Sequence, residues 1–64
     1  MSRPSLARAW LKNGSPPLED LAGVMDIYFI DLMRIMKGHK EPSDDLKSQF
    51  AEIFNEPVER LFPE

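Results

Sequence analysis

Few side chains in this sequence could take part in catalysis, and none of them stands in a catalytic pattern. The chain has one histidine, His39, and no cysteine, which leaves too few ligands for a metal site of the usual kind. Two carboxylate pairs, Glu19/Asp20 and Asp44/Asp45, stand where acids favour the start of a helix through its dipole. We find no nucleophile–base arrangement and no glycine-rich phosphate loop. The sequence therefore predicts a binding protein without cofactor or metal, and not an enzyme.

Basic side chains gather near the middle of the chain. Arg34 and Lys37 precede Gly38, and His39 and Lys40 follow it. Such a group suits the C-terminal end of a helix, where cations interact favourably with the dipole. It equally suits a loop that contacts phosphate groups, and His39 alone also fits a solvated loop residue. Both interpretations stay open from the sequence.

Length and charge narrow the class of protein. The chain has 64 residues and a net charge of −3, with a pI near 5.0, so we expect one domain spanning residues 1–64. Domains that bind nucleic acid usually present a basic face, often with a pI above about 9. No apolar run reaches the ~18 residues of a membrane span. Arg3 and Pro4 lead into an amphipathic stretch and not into a signal peptide, so we expect a cytoplasmic protein without membrane association.

Glycine and proline divide the chain into five short helical segments. We predict helices at about residues 4–13, 16–25, 28–36 and 44–54, and a short last helix opened by Pro57. Ser15 and Ser43 are predicted caps at helix starts. The residues expected to adopt the left-handed backbone at helix ends are Gly14, Asp26, Gly38 and Asn55. No stretch alternates with period two for long enough to form a strand, so the predicted fold class is all-α.

The apolar residues of these segments recur at helical spacing and predict one core. Its expected members are Leu6, Trp10, Leu21, Ala22, Met25, Ile27, Leu32, Ile35, Leu46, Phe50, Ile53, Leu61 and Phe62.

Two stretches of sequence carry a resemblance to a known family. From Leu21 to Pro42 the chain follows L-A-x-x-M-x-I-x-x-x-x-L-x-x-I-x-x-G-x-x-x-P, and from Phe50 to Phe62 it follows F-A-x-I-F-x-x-P-V-x-x-L-F. Together they resemble the Cro/XRE family of phage and bacterial repressors, over about residues 6–62. The resemblance implies a lambda-repressor-type domain with a helix-turn-helix unit at about residues 16–37. It also implies a bacterial or phage-encoded protein that acts in the host cytoplasm.

The resemblance further implies a transcriptional regulator that binds double-stranded operator DNA as a homodimer. In that family the third helix enters the major groove and its first residues contact base edges. The start of the second helix and the loop after the third contact phosphates. The positions that match the base-reading residues are Tyr28, Phe29, Ile30, Met33 and Arg34. The positions that match the phosphate-contacting loop are Lys37, His39 and Lys40.

Several of these positions depart from the family pattern. Phe29 and Ile30 can at best touch a thymine methyl group, because they offer no hydrogen bond to a base edge. Pro16 and Pro17 have no amide hydrogen for a phosphate, and Leu18 replaces a frequent glutamine. These departures favour a second hypothesis, in which the helix-turn-helix serves as a protein-binding module such as an antirepressor or inhibitor.

The second hypothesis needs an exposed apolar surface on the recognition helix. We expect one made of Leu18, Tyr28, Phe29, Ile30 and Met33. Exposed apolar patches often mark interaction sites, and this one could bind a protein partner or a second copy of the chain. The same residues could instead belong to the core. Against that, Leu32 and Ile35 already occupy the inward face of the helix.

Overall fold

Five α-helices make up the computed structural model, which describes residues 4–63. They are α1 (Pro4–Lys12), α2 (Leu18–Met25), α3 (Phe29–Lys37), α4 (Asp44–Phe54) and α5 (Val58–Leu61). No β-strand occurs among the described residues. The prediction of an all-α chain with five short helices is confirmed.

Left-handed residues close four of the helices, as predicted. After α1, Gly14 has φ +88°, and the amide of Ser15 donates to the carbonyl of Trp10 at 3.0 Å. After α3, Gly38 has φ +83°, and the amide of His39 donates to the carbonyl of Arg34 at 2.8 Å. These bonds satisfy carbonyls that the helix end would otherwise leave without a donor. Asp26 and Asn55 close α2 and α4 with the same left-handed backbone.

The start of α2 differs from the prediction. The helix begins at Leu18 and not at residue 16, and its N-cap is Pro17, which has no side-chain capping bond. Ser15 does not cap it, because Ser15 has φ +51° and belongs to the turn that closes α1. The Trp10 indole Nε1 donates to the carbonyl of Pro16 at 2.8 Å, which holds the segment between α1 and α2 against α1. The predicted cap at α4 is confirmed, since the Ser43 hydroxyl accepts from the amide of Leu46.

The core combines side chains from all five helices. Phe50 lies at its centre, with its ring centroid 6.0 Å from that of Phe54 and 5.7 Å from that of Phe62. Burying these rings away from water supplies a large share of the stability of so small a domain. The fully packed core consists of Leu6, Ala9, Leu21, Ala22, Met25, Leu32, Ile35, Phe50, Phe54, Leu61 and Phe62.

The predicted core is largely confirmed, with two kinds of difference. Ala9 and Phe54 are buried but were absent from the predicted set. Four predicted members are only partly buried and pack against the core from its edge, namely Trp10, Ile27, Leu46 and Ile53. A short chain has few positions that are covered on every side, so long side chains near its surface retain some exposure.

None of the helices among residues 4–63 is long and apolar enough to cross a membrane.

Candidate binding surface on the third helix

Helix α3 carries its candidate binding residues on the side away from the core. Leu32 and Ile35 point inward and have no solvent exposure. Ile30, Arg34 and Lys37 follow at i, i+4 and i+7, which places them together on the opposite face. All three are exposed. We call Ile30, Arg34 and Lys37 the outer face of α3.

The start of α3 exposes large apolar side chains. Tyr28 is 78% exposed, Phe29 42% and Ile30 57%. We call these three consecutive residues the apolar patch. Phe29 is partly covered by the rest of the described chain, whereas most of Tyr28 is open to solvent.

Two residues expected in this patch lie deeper than predicted. Leu18 is half-buried and packs against the core at the start of α2, so it is partly a structural residue. Met33 is also half-buried. The exposed apolar surface is therefore centred on the residues just before and within the first turn of α3.

The basic residues near the end of α3 fall into two groups. Arg34 and Lys37 are exposed and form no ion pair within residues 4–63. Lys40 is different, because its Nζ lies 3.2 Å from the carboxylate of Asp31 on α3. His39 is exposed in the loop between them. Arg34 and Lys37 are thus open to an external anion, whereas Lys40 already has an internal one.

Two aspartates lie at the opposite end of the same surface, and two further acids lie at the start of α2. Asp26, Tyr28 and Asp31 line a shallow hollow at the turn between α2 and α3. Glu19 and Asp20 are exposed in the first turn of α2. The surface therefore runs from acidic and apolar at the start of α3 to basic at its end.

Asp31 is the functional candidate that the sequence did not reveal. It faces Lys40 across the turn that ends α3, and its side chain is only 25% exposed. The two residues are not separated by a helical spacing of three or four, so no local rule predicts their contact. Only the path of the loop after Gly38 brings them together.

Within the described part of the chain, no three histidine, aspartate or glutamate side chains come together as metal ligands, on this surface or elsewhere. The surface can offer hydrogen bonds from Tyr28 and Arg34, charge from Arg34 and Lys37, and apolar contact from Phe29 and Ile30.

Comparison of the chain with known protein families, with curated proteins and with solved structures finds no significant match. The Cro/XRE resemblance therefore stays a prediction from the residues quoted above.

Proposed function

We propose that the protein is a small DNA-binding transcriptional regulator of the repressor-like helix-turn-helix type. In this proposal α2 and α3 are the two helices of the unit, and α3 enters the major groove. The observation that supports this most strongly is the outer face of α3, where Arg34 and Lys37 are exposed beside an apolar residue and form no ion pair within residues 4–63. A helix that enters the major groove needs such a face turned away from its own core.

Each exposed residue of α3, and Tyr28 and His39 beside it, has a defined role in this proposal. Arg34 donates to the acceptor atoms of a guanine edge, which a guanidinium can do in a bidentate manner. Tyr28 offers one hydroxyl to a base or phosphate. Phe29 and Ile30 contact thymine methyl groups. Lys37 and His39 contact phosphates and fix the position of the helix along the groove.

Dimer formation belongs to the same proposal. Recognition helices in dimers of this type lie about 34–36 Å apart, one turn of the duplex. Each chain carries one such helix in this proposal, α3, so two copies are needed to contact two half-sites. We expect an operator with two-fold symmetry.

Binding to random-sequence duplex DNA over a series of salt concentrations tests this proposal. A protein that neutralises phosphates releases counterions, so the logarithm of its affinity falls linearly with the logarithm of the salt concentration. Because few cations are available here, we expect a shallow slope of about −2 to −4 per chain. Affinity that is unmeasurable at low salt would contradict DNA binding.

A second candidate function is favoured by the acidic side chains of α2 and of the turn after it, and by the apolar area at the start of α3. Glu19, Asp20 and Asp26 would repel a phosphate backbone, and the apolar patch suits a protein pocket. Aromatic anchors often contribute a large share of the binding energy at protein interfaces. The alternative is therefore a protein-binding module, an antirepressor or inhibitor, that docks through Tyr28, Phe29 and Ile30.

Sedimentation of the wild type and of Phe29→Glu tests the second candidate, which requires self-association or partner binding to use the apolar patch. A charge at the centre of the apolar patch should abolish self-association or partner binding while helical content is kept, because Phe29 is not a core residue. A monomer at high concentration before and after the change, together with no partner recovered by the wild type, would remove the protein-binding alternative.

A further inference from the structure

A second candidate site lies between α1 and α5. None of the described residues that line it belongs to α2 or α3. It is a cleft of about 180 Å³ lined by Ser5, Arg8, Ala9, Lys12, Glu56, Arg60 and Leu61. Ser5, Arg8, Ala9 and Lys12 follow at i, i+3, i+4 and i+7, so one face of α1 forms one wall. Ala9 and Leu61 are almost fully buried and give the cleft an apolar floor.

The charges around this cleft do not balance. Lys12 Nζ lies 3.3 Å from one carboxylate oxygen of Glu56, and Arg60 Nη1 lies 3.4 Å from the other. Glu56 is well covered, with 11% of its side chain exposed, whereas Lys12 and Arg60 are 75% and 72% exposed. Arg8 is exposed and forms no ion pair within residues 4–63. Three cations therefore face one carboxylate, in a chain whose overall charge is −3.

We propose that this cleft binds a dianionic oxyanion of the phosphate monoester class that carries a small apolar substituent. The excess of two positive charges matches a dianion. Arg8 and Arg60 supply planar forks that suit phosphate oxygens, and the hydroxyl of Ser5 can donate one further bond. The substituent lies on Ala9 and Leu61. This site goes beyond DNA binding and does not depend on it.

Glu56 sets the strength of this site. Its carboxylate holds Lys12 and Arg60 over the cleft, but it also competes with an incoming anion for their charge. Replacing it with the isosteric glutamine removes that competition and keeps the shape. We therefore expect Glu56→Gln to bind the dianion more tightly than the wild type does.

Amide chemical shifts of the full chain during titration with inorganic phosphate and with phenyl phosphate test the proposal. We expect saturable shifts confined to the residues that line the cleft, and tighter binding of phenyl phosphate because its ring covers the apolar floor. Arg8→Ala and Arg60→Ala should each weaken binding about threefold to fivefold, as suits exposed charges. Both side chains are exposed, so helical content should remain.

Lys37→Ala is the matched control, because it removes an exposed cation outside the cleft. It should bind phenyl phosphate as the wild type does. Equal weakening in Lys37→Ala and Arg8→Ala, or shifts that rise linearly without saturation, would overturn the site. Benzoate, a monoanion with the same ring, should bind more weakly than phenyl phosphate, and equal affinity would overturn the assignment of a dianion.

Discussion

The inner and outer faces of α3 each carry an isoleucine, and the two isoleucines lie in opposite surroundings. Leu32 and Ile35 are fully buried, while Ile30 is 57% exposed on the other side of the same helix. The inner residues are explained by packing alone. The exposure of Ile30 is not, because exposing apolar area costs roughly 25 cal/mol per Å² relative to burying it. Packing therefore accounts for the inner face of α3, and the proposed DNA contact is our explanation for the outer one.

Replacing one residue on each face of α3 should have very different effects on stability. We expect Leu32→Ala to lower the free energy of unfolding by about 2–5 kcal/mol, because it leaves a cavity in the core. Ile30→Ala, the matched control, should change it by no more than about 0.5 kcal/mol. Denaturant unfolding followed by circular dichroism measures both. A Leu32→Ala protein that unfolds like the wild type would show that the inner face does not support the fold.

Cations on the outer face should affect DNA binding and leave stability alone. We expect Lys37→Ala to weaken binding to all sequences alike and to reduce the salt slope by about one. Arg34→Ala should instead reduce the preference for an operator over random DNA. Fluorescence anisotropy with both kinds of duplex separates the two effects. Identical behaviour of the two variants would show that Arg34 and Lys37 do not have separate roles, one at bases and the other at phosphates.

A smaller effect is expected at Lys40, because Asp31 already neutralises it. Lys40→Ala should reduce the salt slope by less than Lys37→Ala does. Asp31→Asn should raise DNA affinity by about threefold, because it removes the carboxylate that pairs with the exposed ammonium group of Lys40. Asp26→Asn is the control for removing a nearby carboxylate that has no such lysine partner. Equal gains in both aspartate variants would mean that the effect is general repulsion and not release of Lys40.

Local sequence rules predicted the parts of this fold that depend on neighbouring residues. Helical spacing identified Leu32 and Ile35 as inward residues, and backbone preference identified Gly38 and Asp26 as left-handed helix ends. The same rules placed a cap at Ser15 and were wrong there. Ser15 belongs instead to the turn that closes α1, and the hydrogen bond from the Trp10 indole to the carbonyl of Pro16 holds this turn in place.

The candidate sites were less predictable, since they depend on contacts between distant segments. Proximity in sequence marked Arg34, Lys37, His39 and Lys40 as one basic group. It could not show that Lys40 pairs with Asp31. The contact between Lys12 and Glu56 joins residues 44 positions apart, and no spacing rule would have brought α1 and α5 together. The sequence can identify charged residues as candidates, but the contacts between them are known only from the fold.

Mapping of amide chemical shifts on addition of duplex DNA tests whether the outer face of α3 and the loop after it bind DNA. We expect shifts to concentrate at residues 28–40, with the largest at Arg34 and Lys37, while α4 and α5 stay unchanged. Shifts confined to the cleft between α1 and α5, or the absence of any shift at low salt, would contradict this expectation.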